Sequence, residues 1–245
     1  MNTVEALQKI IDKSSSVVFF GGAGVSTESG IPDFRSTDGL YNQQWKYPPE
    51  TILSRSFFDE QTAEFYRFYR AKIIVQGAKP NPAHIKLAEL EKAGKLKAII
   101  TQNIDGLHQA AGSTAVYELH GSILRNYCMR CSAFYSLDNI IANTGTDGVP
   151  RCTKDGCTGI IKPDVVLYEE SLNNEILGAS IKALQTADTL IIGGTSLAVS
   201  PAASLIHYFR GEHLVLINKG ETAADTSADL VIREPIGRVF AQIRA

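Results

Sequence analysis

Long apolar runs are missing from this sequence, and so is a large excess of charge of either sign. No stretch of about 18 consecutive apolar residues occurs, so no segment reads as a transmembrane helix. The net charge of −2 lacks the positive excess that is typical of a nucleic-acid-binding protein. The first residues also lack the basic and apolar parts of a secretory signal. We therefore expect a cytoplasmic protein without membrane or nucleic-acid partners.

Cysteine is scarce, and the four residues present form two pairs, Cys128/Cys131 and Cys152/Cys157. In a reducing compartment, pairs with this spacing favour a tetrahedral zinc site of the ribbon type over disulfides. Four protein ligands leave zinc no open position, so the predicted metal is structural. Free cysteines or a redox pair are the alternatives. The basic and acidic residues between the pairs cancel, so we expect the ribbon to act as a structural clasp.

Short apolar runs bounded by turn residues recur along the chain and predict β-strands. These runs lie at 16–20, 97–100, 116–119, 164–168, 188–194, 213–218 and 228–232. Helical spacing of apolar residues predicts helices at the N-terminus, at 84–94 and at 173–187. Because strands alternate with helices, we expect an α/β fold with a parallel sheet that is covered on both faces.

Two regions interrupt this alternation and are predicted to form a smaller second lobe. One spans 32–77 and is rich in aromatic and polar residues, and the other spans 125–159 and contains the cysteines. The predicted large domain therefore comprises 1–31, 78–124 and 160–245. A ligand is expected in the cleft between the lobe and the edge of the sheet.

The segment FFGGAGVST, at 19–27, has the form of a strand that turns into a nucleotide-binding loop. Gly22 and Gly24 would let the backbone approach a pyrophosphate, and Ser26 and Thr27 add hydroxyl donors. Thr27, however, stands where the dinucleotide fingerprint has its third glycine, which argues against an ordinary dehydrogenase. A tight turn without a ligand is the alternative.

Polar side chains follow two other predicted strands. Gln102, Asn103 and Asp105 follow the run at 97–100, and His120 follows the run at 116–119. Because the carboxyl ends of parallel strands share one sheet edge, we expect these groups to converge near the glycine loop. His120 is then a candidate general base, with a structural role as the alternative.

These segments, in this order and spacing, closely resemble the sirtuins, which are NAD-dependent protein-lysine deacylases. The resemblance is carried by GAGVSTESGIPDFRS, TQNIDGLH, the HG pair, the paired cysteines, GTSLAVSPAA and LINKG. It implies a Rossmann-like domain, together with a smaller domain made of a cofactor loop and helical module (32–77) and a zinc ribbon (125–159). It also implies that NAD is consumed: nicotinamide leaves, and an acyl group passes from lysine to ADP-ribose.

The resemblance further implies roles for individual residues. His120 would be the catalytic base, and Asn103 would orient the ribose and a water molecule. The implied contacts of the dinucleotide are Gly22, Ala23, Gly24, Thr27, Asp33, Phe34, Arg35, Gln102, Asn103, Ile104, Asp105, His120, Gly194, Thr195, Ser196, Asn218, Lys219 and Ile236. Ile104 and Asp105 would line the nicotinamide pocket, and the residues from Thr195 onward would hold the adenosine half. Helix N-capping is the alternative role of Thr195 and Ser196.

An acyl-lysine peptide is expected to add as a strand beside 164–172, with Val166, Tyr168 and Glu169 as contacts. Glu169 departs from the family triplet FGE, which has glycine at this position, and its extra carboxylate would either favour basic residues near the target lysine or hinder the groove. Tyr66 and Tyr69 are assigned to the acyl pocket, where members specific for succinyl or malonyl groups carry Tyr-x-x-Arg. Here Arg70 comes one residue late, about 100° further around a helix, so we expect a preference for neutral acyl groups, acetyl first.

Two other functions remain open on the sequence alone. An ADP-ribosyltransferase would use the same cleavage of NAD with a different acceptor, and an NAD-sensing or zinc-ribbon interaction module would need no base. The remaining histidines, His84, His108, His207 and His213, are expected at the surface without a chemical role.

Overall fold

The computed structural model describes residues 2–36 and 39–245, so Met1, Thr37 and Asp38 of the predicted domains lie outside the described residues. Within them the strands are β1 (Val17–Gly21), β2 (Leu96–Thr101), β3 (Val116–Glu118), β4 (Gly121–Cys128), β5 (Phe134–Ser136), β6 (Ile161–Val165), β7 (Thr189–Gly193), β8 (His213–Ile217) and β9 (Leu230–Ile232). The α-helices are α1 (Thr3–Lys13), α2 (Pro49–Ile52), α3 (Arg55–Glu60), α4 (Thr62–Phe68), α5 (Pro82–Lys92), α6 (Leu107–Ala110), α7 (Leu137–Ala142), α8 (Asn174–Thr186) and α9 (Ile236–Phe240). None of these helices has the length and apolar character needed to cross a membrane.

Six strands form the large sheet in the order β3-β2-β1-β7-β8-β9, and every pair is parallel. Val17 and Phe19 of β1 pack into one apolar cluster, whereas Val18 and Phe20 pack into another, so both faces of the sheet are covered. The predicted α/β class and parallel sheet are thus confirmed. The chain reverses its direction across the sheet between β1 and β7, and such a reversal leaves a crevice at the carboxyl ends of the strands.

A second sheet of three antiparallel strands, β5-β4-β6, supports the region of the cysteines. The run at 164–168 was expected to follow the α/β alternation, but only Asp164 and Val165 lie in a strand, and that strand pairs with β4. This expectation was wrong because a short apolar run does not reveal which sheet it joins. In β6 buried and half-buried residues alternate, as in antiparallel sheets with one covered face. Strand β4 also crosses the domain boundary predicted between 124 and 125.

The helical module and the ribbon share one apolar core. Phe58 and Phe65 of the helices meet edge to face, with ring centroids 4.9 Å apart. They belong to the same buried cluster as Tyr135 and Ile161 of the small sheet. The two regions that interrupt the α/β pattern therefore stabilise each other, and neither depends on the large sheet alone for its packing.

Two of the four histidines expected at the surface are buried. His84 and His108 are 0% and 1% exposed, and their ring centroids lie 4.7 Å apart. The expectation was wrong because local pattern gave no sign of their packing: Nδ1 of His84 accepts from the amide of Asn81 at the start of α5, and His108 packs on Phe19. Burial lowers the pKa of His84 to about 4 and that of His108 to about 3, so both are neutral near pH 7.

These neutral histidines should make the fold sensitive to acid. In the unfolded chain they take up protons below pH 6.5, whereas in the folded chain they do so only near pH 4 and pH 3. The unfolded state then binds more protons. As the pH is lowered through this range, the free energy of unfolding therefore falls by about 1.4 kcal/mol per pH unit for each histidine. His108→Leu should remove the contribution of one histidine to this pH dependence, as measured by urea unfolding between pH 6.5 and 4. The exposed His207→Asn is the control, and an equal slope in His108→Leu and wild type would contradict the assignment.

Candidate active site

The carboxyl edge of the large sheet opens into a cleft of about 1470 Å³. This volume exceeds the range of about 300–1,000 Å³ that is usual for one small-molecule ligand. Every residue predicted to contact the dinucleotide lines the cleft, and so do Val166, Tyr168, Glu169 and Tyr69. The sheet edge thus brings together segments that lie more than a hundred residues apart in the sequence.

Two loops meet backbone to backbone at the switch point of the sheet, which is the place between β1 and β7 where the chain reverses its direction across the sheet. The amide of Gly24, after β1, donates to the carbonyl oxygen of Gly194, after β7, at 2.8 Å. A Cβ on Gly24 would lie 2.8 Å from the Cα of Gly194, and Gly194 itself has a φ of 58°. Side chains at these positions would separate the loops or strain the backbone. These glycines therefore hold the two loops together as well as leaving room for a ligand.

A chain of side-chain hydrogen bonds crosses the cleft from the glycine loop to the end of β2. The Ser26 hydroxyl donates to Oδ2 of Asp105 at 2.7 Å, and Nδ2 of Asn103 donates to the Ser26 oxygen at 3.1 Å. Oδ1 of Asp105 accepts from the amide of Leu107 at 2.9 Å, which fixes the carboxylate at the start of α6. Asn103 and Asp105 are therefore held in set orientations in the structure.

His120 has the geometry of a neutral base. Its Nδ1 lies 3.0 Å from the carbonyl oxygen of Gln102. A carbonyl only accepts, so Nδ1 carries the proton and Nε2 keeps its lone pair. Burial lowers the pKa of His120, and the bond to Gln102 opposes that shift only in part. The next residue is Gly121 with a φ of 75°, and a Cβ there would overlap the carbonyl oxygen of Asp164, so the turn after His120 requires glycine.

The residues assigned to the adenosine half lie around the ends of β7 and β8. Thr195 Oγ1 accepts from Nε2 of Gln102 at 3.1 Å and from the amide of Leu197 at 3.2 Å. The nearby 3₁₀ helix spans Ala202–Tyr208 with Pro201 at its N-cap, so helix capping by Thr195 or Ser196 is not the arrangement observed. Ser196 and Lys219 are exposed, Asn218 is half-buried with its Nδ2 donating to the carbonyl oxygen of Gly220, and Ile236 begins α9.

The segment after the glycine loop is organised by its own side chains. Oδ1 of Asp33 accepts from the amides of Arg35 and Ser36 at 3.0 and 2.7 Å. The ring centroids of Phe34 and Tyr41 lie 5.9 Å apart, and the Arg35 guanidinium lies 5.1 Å from the centroid of the Tyr41 ring. Asp33 thus shapes the turn, and Tyr41 supports the two side chains that follow it.

The segment beyond β6 connects His120 to the helical module. The amide of Val166 donates to the carbonyl oxygen of His120 at 3.0 Å. The amide of Tyr168 donates to the carbonyl oxygen of Leu53, and the carbonyl oxygen of Tyr168 accepts from the amide of Arg55, both at 3.0 Å. Both backbone groups of Tyr168 are therefore committed to the turn between α2 and α3.

The carboxylate of Glu169 is bonded to the helical module. Its Oε2 accepts from the amide of Ser56 and its Oε1 accepts from the hydroxyl of Ser56, both at 2.9 Å, in the first turn of α3. Its backbone has a φ of 76°, a conformation that costs a residue with a Cβ about 1 kcal/mol or more. The carboxylate is therefore directed at the first turn of α3.

The two tyrosines assigned to the acyl pocket differ in position. Tyr69 lines the cleft, but Tyr66 does not: it is buried in the small lobe, where its hydroxyl donates to the carbonyl oxygen of Ile161. The assignment of Tyr66 is corrected accordingly, because its ring packs against Phe58 and Phe65. Arg70 points away from the cleft, as expected, and its Nη1 donates to the carbonyl oxygen of Gly148.

The sequence named Ser26 only as a hydroxyl donor of the glycine loop, and it did not assign Tyr41 to the site. Ser26 is buried and connects Asn103 with Asp105. Its place inside the glycine loop, facing a polar strand end, was the signal that could have identified this role. Tyr41 supports Phe34 and Arg35, and no pattern in the sequence around it indicates this contact.

The four cysteines form one cluster beside the small sheet. Their Sγ atoms all lie within 4.8 Å of one another, and the closest pairs are 3.6 Å apart. This is too far for a disulfide, in which the sulfurs are about 2.05 Å apart. The Tyr135 hydroxyl donates to Sγ of Cys152 at 3.1 Å, and the amide of Arg130 donates to Sγ of Cys128 at 3.4 Å. These donors would stabilise thiolates, so the donor set suits a soft divalent metal.

Comparison with known proteins gives one consistent result. The model of the Sir2 family matches residues 22–201. An NAD-dependent protein deacetylase of Clostridium acetobutylicum is 58% identical over 242 residues, which cover 98% of this chain and 97% of that protein.

Solved structures agree in fold over the whole length. A Sir2 variant with a deacetylated p53 peptide and 3′-O-acetyl ADP ribose has a TM-score of 0.90 at 38% identity, covering 98% of this chain and 96% of that one. A Sir2 protein with a p53 peptide and NAD+ has a TM-score of 0.85 at 39% identity, with the same coverage of both chains.

Proposed function

The chain belongs to the Sir2 family, and we propose on that premise that its cleft binds NAD and an acetylated lysine side by side. It is an NAD-dependent protein deacetylase, which transfers the acetyl group to ADP-ribose and releases nicotinamide. The observation that carries the assignment of residues is the position of His120, a neutral base beside the bonded set of Ser26, Asn103 and Asp105.

The lining of the cleft fits a dinucleotide. The loops around Gly24 and Gly194 present backbone at the switch point, where open α/β sheets bind phosphates and ribose. Asp105, held by Ser26 and Leu107, is suited to accept from the carboxamide of nicotinamide, and Ile104 lines the same part of the cleft. When bound, NAD supplies a ribose carbon that becomes electrophilic as nicotinamide leaves.

His120 then acts through Nε2. The Gln102 carbonyl keeps the proton on Nδ1, so Nε2 can take up a proton from a ribose hydroxyl. The lowered pKa keeps the imidazole neutral and ready at pH 7. Asn103, fixed by Ser26, orients the ribose and an attacking water through the rest of its amide. Enclosure of these groups excludes bulk water and strengthens each polar contact.

The peptide is proposed to lie beside the segment that follows β6. Both backbone groups of Leu167 and of Tyr168 already have partners within the chain. Glu169 is therefore the residue that we expect to pair with the substrate backbone, in a short form of strand addition. Val166 and Tyr168 would flank the acyl-lysine, with Tyr69 deeper in the cleft.

The cysteine cluster is proposed to hold one structural zinc ion. Four thiolates satisfy a tetrahedral ion and leave no open position for water, so the metal takes no part in the chemistry. Such ligands are typical of a reducing compartment, and on that basis we propose a cytoplasmic protein. Zinc would fix β4, and β4 starts directly after His120.

The assignment of the base is tested by His120→Ala. We expect a loss of about 10²–10⁴-fold in acetyl transfer with NAD affinity within a few fold of wild type, because the base acts only in the reaction. The readouts are O-acetyl-ADP-ribose by mass spectrometry and the Kd of NAD by calorimetry, with the exposed His207→Ala as control. In wild type the acid limb of kcat/KM should lie below pH 6.5. ADP-ribose left on the target protein, without O-acetyl-ADP-ribose, would identify a transferase instead.

Acyl preference follows from the direction of Arg70. Its guanidinium lies 5.2 Å from the Tyr66 ring, its Nη1 donates to the carbonyl oxygen of Gly148, and it does not line the cleft, so it is not placed to meet an acyl carboxylate there. We expect kcat/KM for an acetyl peptide to exceed that for the matched succinyl peptide by at least tenfold. Arg70→Gln should leave this ratio unchanged. A succinyl preference that Arg70→Gln abolishes would show that the arginine does reach the substrate.

Metal content tests the ribbon. Purified protein should carry about one zinc per chain by mass spectrometry, and Cys152→Ser should lose it with a clear fall in Tm, because structural zinc contributes directly to folding. Met129→Ala is the control, since this exposed side chain lies between two of the ligands in sequence. Metal-free protein that keeps the Tm of the zinc-containing protein would contradict the zinc assignment, and so would a protein with two disulfides.

A further inference from the structure

One contact joins the segment of Phe34 and Arg35 to the segment beside which the peptide is proposed to bind. The hydroxyl oxygens of Tyr41 and Tyr168 lie 2.8 Å apart, at hydrogen-bond distance. The two residues are 127 positions apart in the sequence, and both side chains line the cleft. The contact therefore spans the cleft between a cofactor-binding segment and a substrate-binding segment.

At one end of this contact, Tyr41 determines where its neighbours lie. Its amide donates to the carbonyl oxygen of Phe34 at 2.9 Å, and the amide of Leu40 donates to that of Asp33 at 2.8 Å. The Tyr41 ring also carries the edge of Phe34 and the guanidinium of Arg35. A shift of Tyr41 would consequently displace both side chains.

At the other end, Tyr168 is a fixed support. Its amide and carbonyl are bonded to Leu53 and Arg55, and the next residue, Glu169, is bonded to Ser56. Glu170 adds ion pairs with Arg55 and Lys162 at 3.1 and 3.0 Å. Because so many bonds hold this segment, the hydroxyl of Tyr168 offers Tyr41 a partner at a defined position.

We propose that the Tyr41–Tyr168 hydroxyl pair is a positioning contact that holds Phe34 and Arg35 in place for NAD and couples the NAD site to the peptide segment. The proposal rests on the proposed function, since it takes NAD as the ligand. Neither tyrosine enters the chemistry. The pair preorganises the cofactor segment, so that less order has to be gained when NAD binds.

Replacing either hydroxyl tests this arrangement without removing a ring. Tyr41→Phe and Tyr168→Phe should each raise the Kd of NAD, measured by calorimetry without peptide, by about 2- to 10-fold, the range of one net hydrogen bond. The double variant should bind NAD no more weakly than the single ones, because they remove the same interaction. KM for NAD should rise in step with this Kd, so that the loss in kcat/KM for NAD follows the loss of binding. Tyr208→Phe, at an exposed tyrosine outside the cleft, is the matched control.

Several results would overturn the proposal. Additive effects in the double variant would mean that the hydroxyls act separately. A rise in KM for the peptide alone, with unchanged Kd for NAD, would mean that Tyr168 serves only the substrate. Variants that bind NAD as tightly as wild type would show that the contact has no role in the cofactor site. A wild-type protein that binds no NAD would instead contradict the proposed function itself, so the two failures are distinguishable.

Discussion

The site depends on the close approach of two loops at the switch point of the large sheet. The amide of Gly24 and the carbonyl of Gly194 bond directly, and neither position has room for a side chain. This contact fixes the loop after β1 against the loop after β7. Asn81, the N-cap of α5, adds a second restraint through its Nδ2, which donates to the carbonyl oxygen of Val25 at 2.8 Å. The hydroxyl of Ser26 then falls within reach of Asn103 and Asp105.

The small lobe contributes order in a different way. Its helices and ribbon share one core, and the segment after β6 is bonded both to the lobe, at Leu53 and Arg55, and to the large domain, through Val166 and His120. His120 and the segment after β6 are therefore neighbours through a single backbone hydrogen bond. A change in the packing of the ribbon can reach His120 by this short path.

Much of this arrangement could be predicted from the sequence, and the reason is geometrical. Parallel strands place their carboxyl ends at one edge, so polar residues after the apolar runs, such as Gln102, His120 and Thr195, had to converge. The clustering of the paired cysteines could likewise be predicted from their spacing alone. The features that could not be predicted are decided by tertiary packing. They are the sheet to which 164–168 belongs, the burial of His84 and His108, and the place of Tyr66. Local pattern reports the exposure of a face, but it does not report which distant ring will cover it.

The segment of Tyr168 and Glu169 shows how the structure around it can compensate a departure from the family pattern. A glutamate at a φ of 76° carries strain that glycine would avoid, about 1 kcal/mol or more. Two hydrogen bonds from Ser56 to its carboxylate, worth about 1 kcal/mol or more each when the acceptor is charged, offset that strain. The strained residue then anchors the segment to α3, while the hydroxyl of Tyr168 reaches in the other direction, to Tyr41. Held from two sides, the segment gains a rigidity that a glycine at position 169 would not provide, because glycine brings no side chain to bond with Ser56.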